Sequence, residues 1–159
     1  MNQLLRAFVL LVATSAAAQN IPAELHGKWI IGRVIPTSTI SCWGDEEAKS
    51  IIGSEIEYAA DSFRWKTTMV NHPVADVAVL TAEQFREEYS GQGANSSQVS
   101  FRQLGIRTAK VKRVTIKHPP ADMTGGTTEI PGDVVLVKDH NTIILSVCNV
   151  YFEAKQLSH

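Results

Sequence analysis

Val134-Val135-Leu136-Val137-Lys138 and Thr142-Ile143-Ile144-Leu145-Ser146-Val147-Cys148-Asn149-Val150-Tyr151-Phe152-Glu153-Ala154 flank the short polar run Asp139-His140-Asn141. Two β-branched runs around an Asp/Asn cluster read as a β-hairpin. The second run predicts one long strand, with Ile143, Leu145, Val147 and Tyr151 on one face and Ile144, Cys148, Val150 and Phe152 on the other. Side chains alternate across a strand, so a strand apolar on both faces must be covered on both.

Working back from this hairpin, the same pattern recurs. Gly27–Ile35 is β-branched and stops at Pro36, which predicts a first strand. Asp45 is placed to cap a short helix, Glu46 to Ile52, that Gly53 ends. Ile56 and Tyr58 alternate with Glu55 and Glu57, and Phe63, Trp65, Thr67 and Met69 alternate with Ser62, Arg64, Lys66 and Thr68. These runs predict two strands joined tightly at Ala60-Asp61. Val74 to Leu80 reads as a further strand, and Thr81 with Gln84 forms a capping-box pair ahead of a helix over Ala82 to Tyr89. Ser90 to Ser97 and Ala121 to Asp133 read as solvated loops, the first containing the formal glycosylation acceptor Asn95-Ser96-Ser97. Val99, Phe101, Leu104 and Ile106 are apolar without a period that fixes their local form. Arg107 to His118 alternates, but Val111 is out of phase with Val114 and Ile116, which predicts a β-bulge at Lys112-Arg113. The expected fold is mainly β: an antiparallel up-and-down barrel or strongly curled sheet, with two short helices in the connections.

The N-terminus carries a different signal. Arg6 is the only charge before the apolar run Ala7 to Ala13, and the small residues Ala16 and Ala18 precede Gln19. A cationic start, a short apolar stretch and a small-residue exit describe a secretory signal peptide, with cleavage expected between Ala18 and Gln19. The run is short of the roughly 20 residues a spanning helix needs, so no stable membrane insertion is expected after cleavage. Removing residues 1–18 from the 159 leaves 141, a length for one β-rich domain over 19–159. The expected location is the periplasm or the extracellular space. There the two cysteines, Cys42 and Cys148, are expected to be bridged, with two separate buried thiols as the alternative. The mature charge of about −2 gives no concentrated cationic field for nucleic acid.

No catalytic group, metal site or cofactor is predicted. The five histidines, His26, His72, His118, His140 and His159, never stand two, three or four apart, and they read as surface residues or as one member of a tertiary cluster. Among paired carboxylates only Glu55 and Glu57 share a strand face, and it is the polar one. Arg107, Lys110, Lys112, Arg113 and Lys117 make one strand locally basic, as a solubilising face or a patch for an acidic partner. Trp43, Tyr58 and Trp65 are the candidate binding residues. Trp43 follows Cys42 in a loop, where its ring is either pinned over the bridge or offered to a partner.

Gly27-Lys28-Trp29, at the first strand of a small exported β-rich chain, resembles the Gly-x-Trp signature of lipocalins and the wider calycin-like barrels. The resemblance implies an eight-strand meander around a cavity for an apolar ligand. It casts Trp29 as the structural residue that closes the barrel floor, with Lys155 as the candidate for the basic residue over it. The chain departs from the family in lacking a Thr-Asp-Tyr element and a long terminal helix, and in placing its helices between strands. The expected function is therefore a non-catalytic, lipocalin-like binding module for a small apolar molecule. The alternatives are a module that binds a secreted protein, such as a hydrolase inhibitor, and, third, a secreted enzyme.

Overall fold

The computed structural model describes residues 20–37, 41, 43–89, 99–118, 123–124 and 130–157. The leader 1–18, the expected cut at Ala18/Gln19, Cys42, the 90–97 loop and most of the 121–133 loop lie outside the described residues.

The elements run β1 (Gly27–Ile35), α1 (Asp45–Ser50), β2 (Glu55–Tyr58), β3 (Ser62–Trp65), β4 (Thr68–Asn71), β5 (Val74–Thr81), α2 (Ala82–Tyr89), β6 (Lys110–Lys117), β7 (Met123–Thr124), β8 (Val134–Asp139), β9 (Thr142–Val147) and β10 (Val150–Gln156). All pairings are antiparallel, in the order β5-β6-β8-β9-β10-β1-β2-β3-β4-β7. Apart from the two-residue β7, every neighbour is the next strand along the chain, and the last strand lies on the first. This is an up-and-down meander in which the consecutive strands β4 and β5 are the pair left unjoined, with β7 on the free edge of β4. Only His72 and Pro73 separate those two strands, so their facing ends lie within about 11 Å, three Cα steps. Strands at opposite ends of the order can be that close only if the sheet curls back toward itself. The mainly β, strongly curled architecture is the one the alternation predicts.

The sheet carries a core on each face. Inside the curl lie Trp29, Ile31, Ile56, Tyr58, Phe63, Val114, Val135, Ile143, Leu145 and Phe152. Outside, α2 and the turns over residues 99–106 bury Phe85, Val99, Phe101, Leu104 and Ile106 against Val111, Leu136, Ile144 and Tyr151. The apolar 99–106 stretch, which lacks a regular period, is thus the lid of the outer core. Residue pairs 100 and 103 lock it: Ser100 N donates to Gln103 Oε1 at 2.9 Å, and Gln103 N donates back to Ser100 Oγ at 3.3 Å. The capping box of α2 forms as read, with Thr81 N donating to Gln84 Oε1 at 2.9 Å and Gln84 N to Thr81 Oγ1 at 3.2 Å.

Four local expectations are corrected. Thr142 to Ala154 is two strands, because Cys148 and Asn149 take φ of 53° and 61° and close a two-residue hairpin between Val147 and Val150. Two successive left-handed residues are what a type I′ turn requires, and Cys-Asn lacks the glycine that usually announces one. Ser62 to Met69 likewise folds back at Lys66, whose φ is 53°, so that Thr68 and Val70 are buried where Thr67 and Met69 were expected. The bulge at Lys112-Arg113 is absent: β5 and β6 pair without interruption from Val74↔Lys117 to Thr81↔Lys110. Val111 is out of phase because it belongs to the outer core. Register shifts lie instead in β1, between Ile31 and Arg33, and in β8, between Val137 and Asp139. Finally, Gly44 rather than Asp45 occupies the N-cap of α1, and Asp45 becomes its first residue.

Candidate functional site

Trp29 is the keystone of the inner core. Its side chain has 0% exposure, and its Nε1 donates to the Leu25 carbonyl at 2.8 Å. That bond satisfies the one polar atom of the indole and ties the 3-10 turn Ala23–Leu25 to β1. Lys155 pairs with Ile30, whereas Trp29 pairs with Gln156, so Lys155 projects from the opposite face of the sheet and does not cover the indole.

The candidate binding residues Trp43, Tyr58 and Trp65 line no common site. Tyr58 is buried in the inner core, stacked on Phe63 at 5.6 Å, and its hydroxyl donates to the Gly132 carbonyl at 3.1 Å. Gly132 has φ of 114°, and a Cβ there would stand 2.5 Å from the Tyr58 hydroxyl oxygen, so only glycine fits. Trp65 sits at the β3–β4 hairpin, donating from Nε1 to Ser54 Oγ at 3.2 Å, with Lys66 Nζ 4.5 Å above its ring.

Trp43 and Trp65 are both half-buried, and Trp43 opens on a groove. The groove, of about 370 Å³, lies between the end of β1, α1 and the β9–β10 turn. Val34, Ile35, Pro36, Ala48 and Val150 supply apolar walls, while Ser41, Asp45 and Lys49 add polar groups. The indole is half-buried and meets Phe152 of the inner core edge-on, at a centroid distance of 6.5 Å and an interplanar angle of 67°. Its loop is pinned twice: Trp43 N donates to Ser41 Oγ, and that hydroxyl donates to the Cys148 carbonyl, both at 2.9 Å. The ring is therefore held by the fold and lines the groove.

The charged residues are mostly paired with one another. Glu55 meets Lys28 at 2.9 Å and Glu57 bonds Arg64, so the shared carboxylate face is a pair of exposed ion pairs. The basic strand is similarly answered, by Lys112 with Glu24 at 2.6 Å, Arg113 with Glu88, and Lys117 with Asp76 at 3.5 Å. His118 departs from the surface reading: its side chain is 8% exposed, and its Nε2 lies 3.4 Å from Asp133 Oδ1. His26 Nε2 donates to the Ile21 carbonyl at 2.9 Å, and His72 and His140 are exposed. Among the described residues no three or more His, Cys, Asp or Glu are grouped to hold a metal ion, and no helix is long and apolar enough to cross a membrane.

The tyrosines give the chain an alkaline signature. Burial drives the Tyr151 hydroxyl up to about 12, with a further push from Tyr89. Burial also raises Tyr58, well above its ordinary range, and Tyr89. In the unfolded chain a tyrosine ionises near 10, so between about pH 10 and 12 the unfolded state releases protons that the native state keeps. The stability each raised tyrosine contributes is whole below pH 10 and is lost as pH climbs toward 12; for Tyr151 alone this is about 2–3 kcal/mol. Absorbance at 295 nm is expected to show Tyr58 and Tyr151, two of the chain's three tyrosines, ionising only in the unfolding transition above pH 10; a step near pH 10 with the amplitude of two or three tyrosines would place them in solvent.

Comparison with family models, with curated proteins and with solved structures gives no match for this chain.

Proposed function

We propose that this chain is an exported, non-catalytic binding module, lipocalin-like in architecture, that holds a small apolar molecule in the groove beside Trp43. The single observation behind this reading is the groove itself: about 370 Å³, within the size range of small-molecule sites, with apolar walls and a few polar groups around a ring fixed by the fold. The meander that brings β10 onto β1, and Trp29 sealed beneath it, support the calycin-like reading that Gly27-Lys28-Trp29 prompted. The large side chains of Trp29, Tyr58, Phe63 and Phe152 occupy the inside of the curl, so the ligand sits at its end, among loops. Export rests on the leader, and the bridge expected between Cys42 and Cys148 would tie the segment before Trp43 to the β9–β10 turn.

A second reading, a module for a protein partner, draws on β5, which ends the strand order and exposes Val74 and, at 57%, Val79. Native mass spectrometry after gentle purification separates the two: a co-purified small molecule supports the first, a second polypeptide the other. Titration with the apolar reporter N-phenyl-1-naphthylamine is expected to give saturable emission that Trp43→Ala weakens at least tenfold, the loss of about 1.4 kcal/mol of contact. Equal binding by the variant would remove the ligand from this groove.

A further inference from the structure

On the outer face, away from Trp43, a second groove of about 460 Å³ is lined by Arg33, Gly105, Arg107, Thr108, Lys138 and Asp139. Its hydrogen-bonding inventory is lopsided. Glu153 is the inner carboxylate, 12% exposed, and both its oxygens are engaged: Arg33 grips them through Nε at 3.3 Å and Nη2 at 3.0 Å, and Lys138 Nζ adds a bond at 2.9 Å. Burial works to raise this carboxyl, yet the bonds from Arg33 and Lys138 outweigh it and hold it below the usual range. Asp139 spends Oδ1 on the Asn141 backbone N–H at 2.9 Å, and the Thr108 hydroxyl donates to the Lys110 carbonyl at 2.7 Å.

The donors are not used up. Arg33 keeps Nη1, Lys138 keeps two of its three N–H bonds, and Arg107 makes no ion pair among the described residues. Three cations thus face two carboxylates across one cleft, with N–H groups in excess. Lys138 is the fixed member, 21% exposed and bonded to Glu153 at 2.9 Å. A Cβ at residue 105, where φ is 69°, would stand 3.0 Å from Lys138 Nζ, so glycine there leaves the ammonium its room. Asp139 Oδ2 remains an acceptor at the rim, but the guanidinium and ammonium donors outnumber it, and a fork of such donors complements a tetrahedral oxyanion.

We infer that this groove binds an oxyanion of the phosphate or sulfate type, with Arg107 and Lys138 as its direct donors and Glu153 as the residue that positions Lys138 and Arg33. The test is a titration with inorganic phosphate at constant ionic strength, balanced with chloride and followed by backbone amide NMR. Saturable shifts are expected at Gly105, Arg107 and Thr108. Arg107→Gln should weaken binding at least fivefold, and Arg86→Gln, which makes the same charge change on α2 outside the groove, should leave it within twofold. A second arm uses phosphatidylglycerol vesicles: co-sedimentation that depends on Arg107 assigns the phosphate to a lipid headgroup, and phosphate binding without it assigns a soluble ligand. Loss of Arg107 dependence in both arms, or equal weakening by the two variants, overturns the site.

Discussion

Trp29→Ala is expected to lower stability by about 3–5 kcal/mol, the cost of emptying a large, fully buried ring position. Two effects combine. The indole fills the inner core where β1 pairs with both β2 and β10, and the Leu25 carbonyl loses its N–H donor in a place water reaches poorly. Trp29→Phe separates them, keeping most of the volume while removing the bond, and should cost about 1–3 kcal/mol. Urea unfolding followed by circular dichroism measures both; unchanged melting of the alanine variant would take Trp29 out of the core.

The second large effect concerns the cysteines. The hydrogen bond from Ser41 Oγ to the Cys148 carbonyl brings the chain neighbour of Cys42 onto the β9–β10 turn, although 106 positions separate the two cysteines. A bridge across that separation would restrict the unfolded chain by up to about 4.7 kcal/mol in the loop-entropy view, reduced by any native strain. Alkylation without reduction should therefore label neither residue, and reduction should lower stability by about 2–4 kcal/mol. Labelling of both Cys42 and Cys148 in the native protein would show two separate thiols.

Much of the fold was legible because its signals are local. The β-branched run stopped by Pro36 gave β1, alternation gave β2, and Thr81 with Gln84 marked the start of α2, since each depends on backbone preferences within a few residues. Reading failed where a turn used unadvertised residues. Lys66 and the pair Cys148-Asn149 adopt left-handed backbone without glycine, so two hairpins were hidden inside apparently continuous strands. Phase failed at Val111 for another reason: the pattern assumed one buried face, and the sheet has two.

The candidate sites were less legible. Trp43 was singled out from its place beside Cys42, but Tyr58 and Trp65 resemble it only in being aromatic. Burial and partners, which are properties of packing, separate the three. Of the groove around Arg33, Arg107 and Lys138 the sequence singled out only Arg107, as part of a basic run, because the groove residues come from β1, the 105–108 segment and β8.

The chain by itself therefore determined where apolar, strand-forming and helix-forming runs lie, though not every turn within them, because those follow from side-chain alternation and backbone preference along a few neighbouring positions. Only the tertiary structure decided that the sheet curls back far enough for β4 and β5, at opposite sides of the strand order, to be joined by a two-residue link. It also decided that His118 is enclosed beside Asp133, and which cations keep donors to spare. Those outcomes depend on which distant surfaces meet, and pairing energies between residues a hundred positions apart are written in no local stretch.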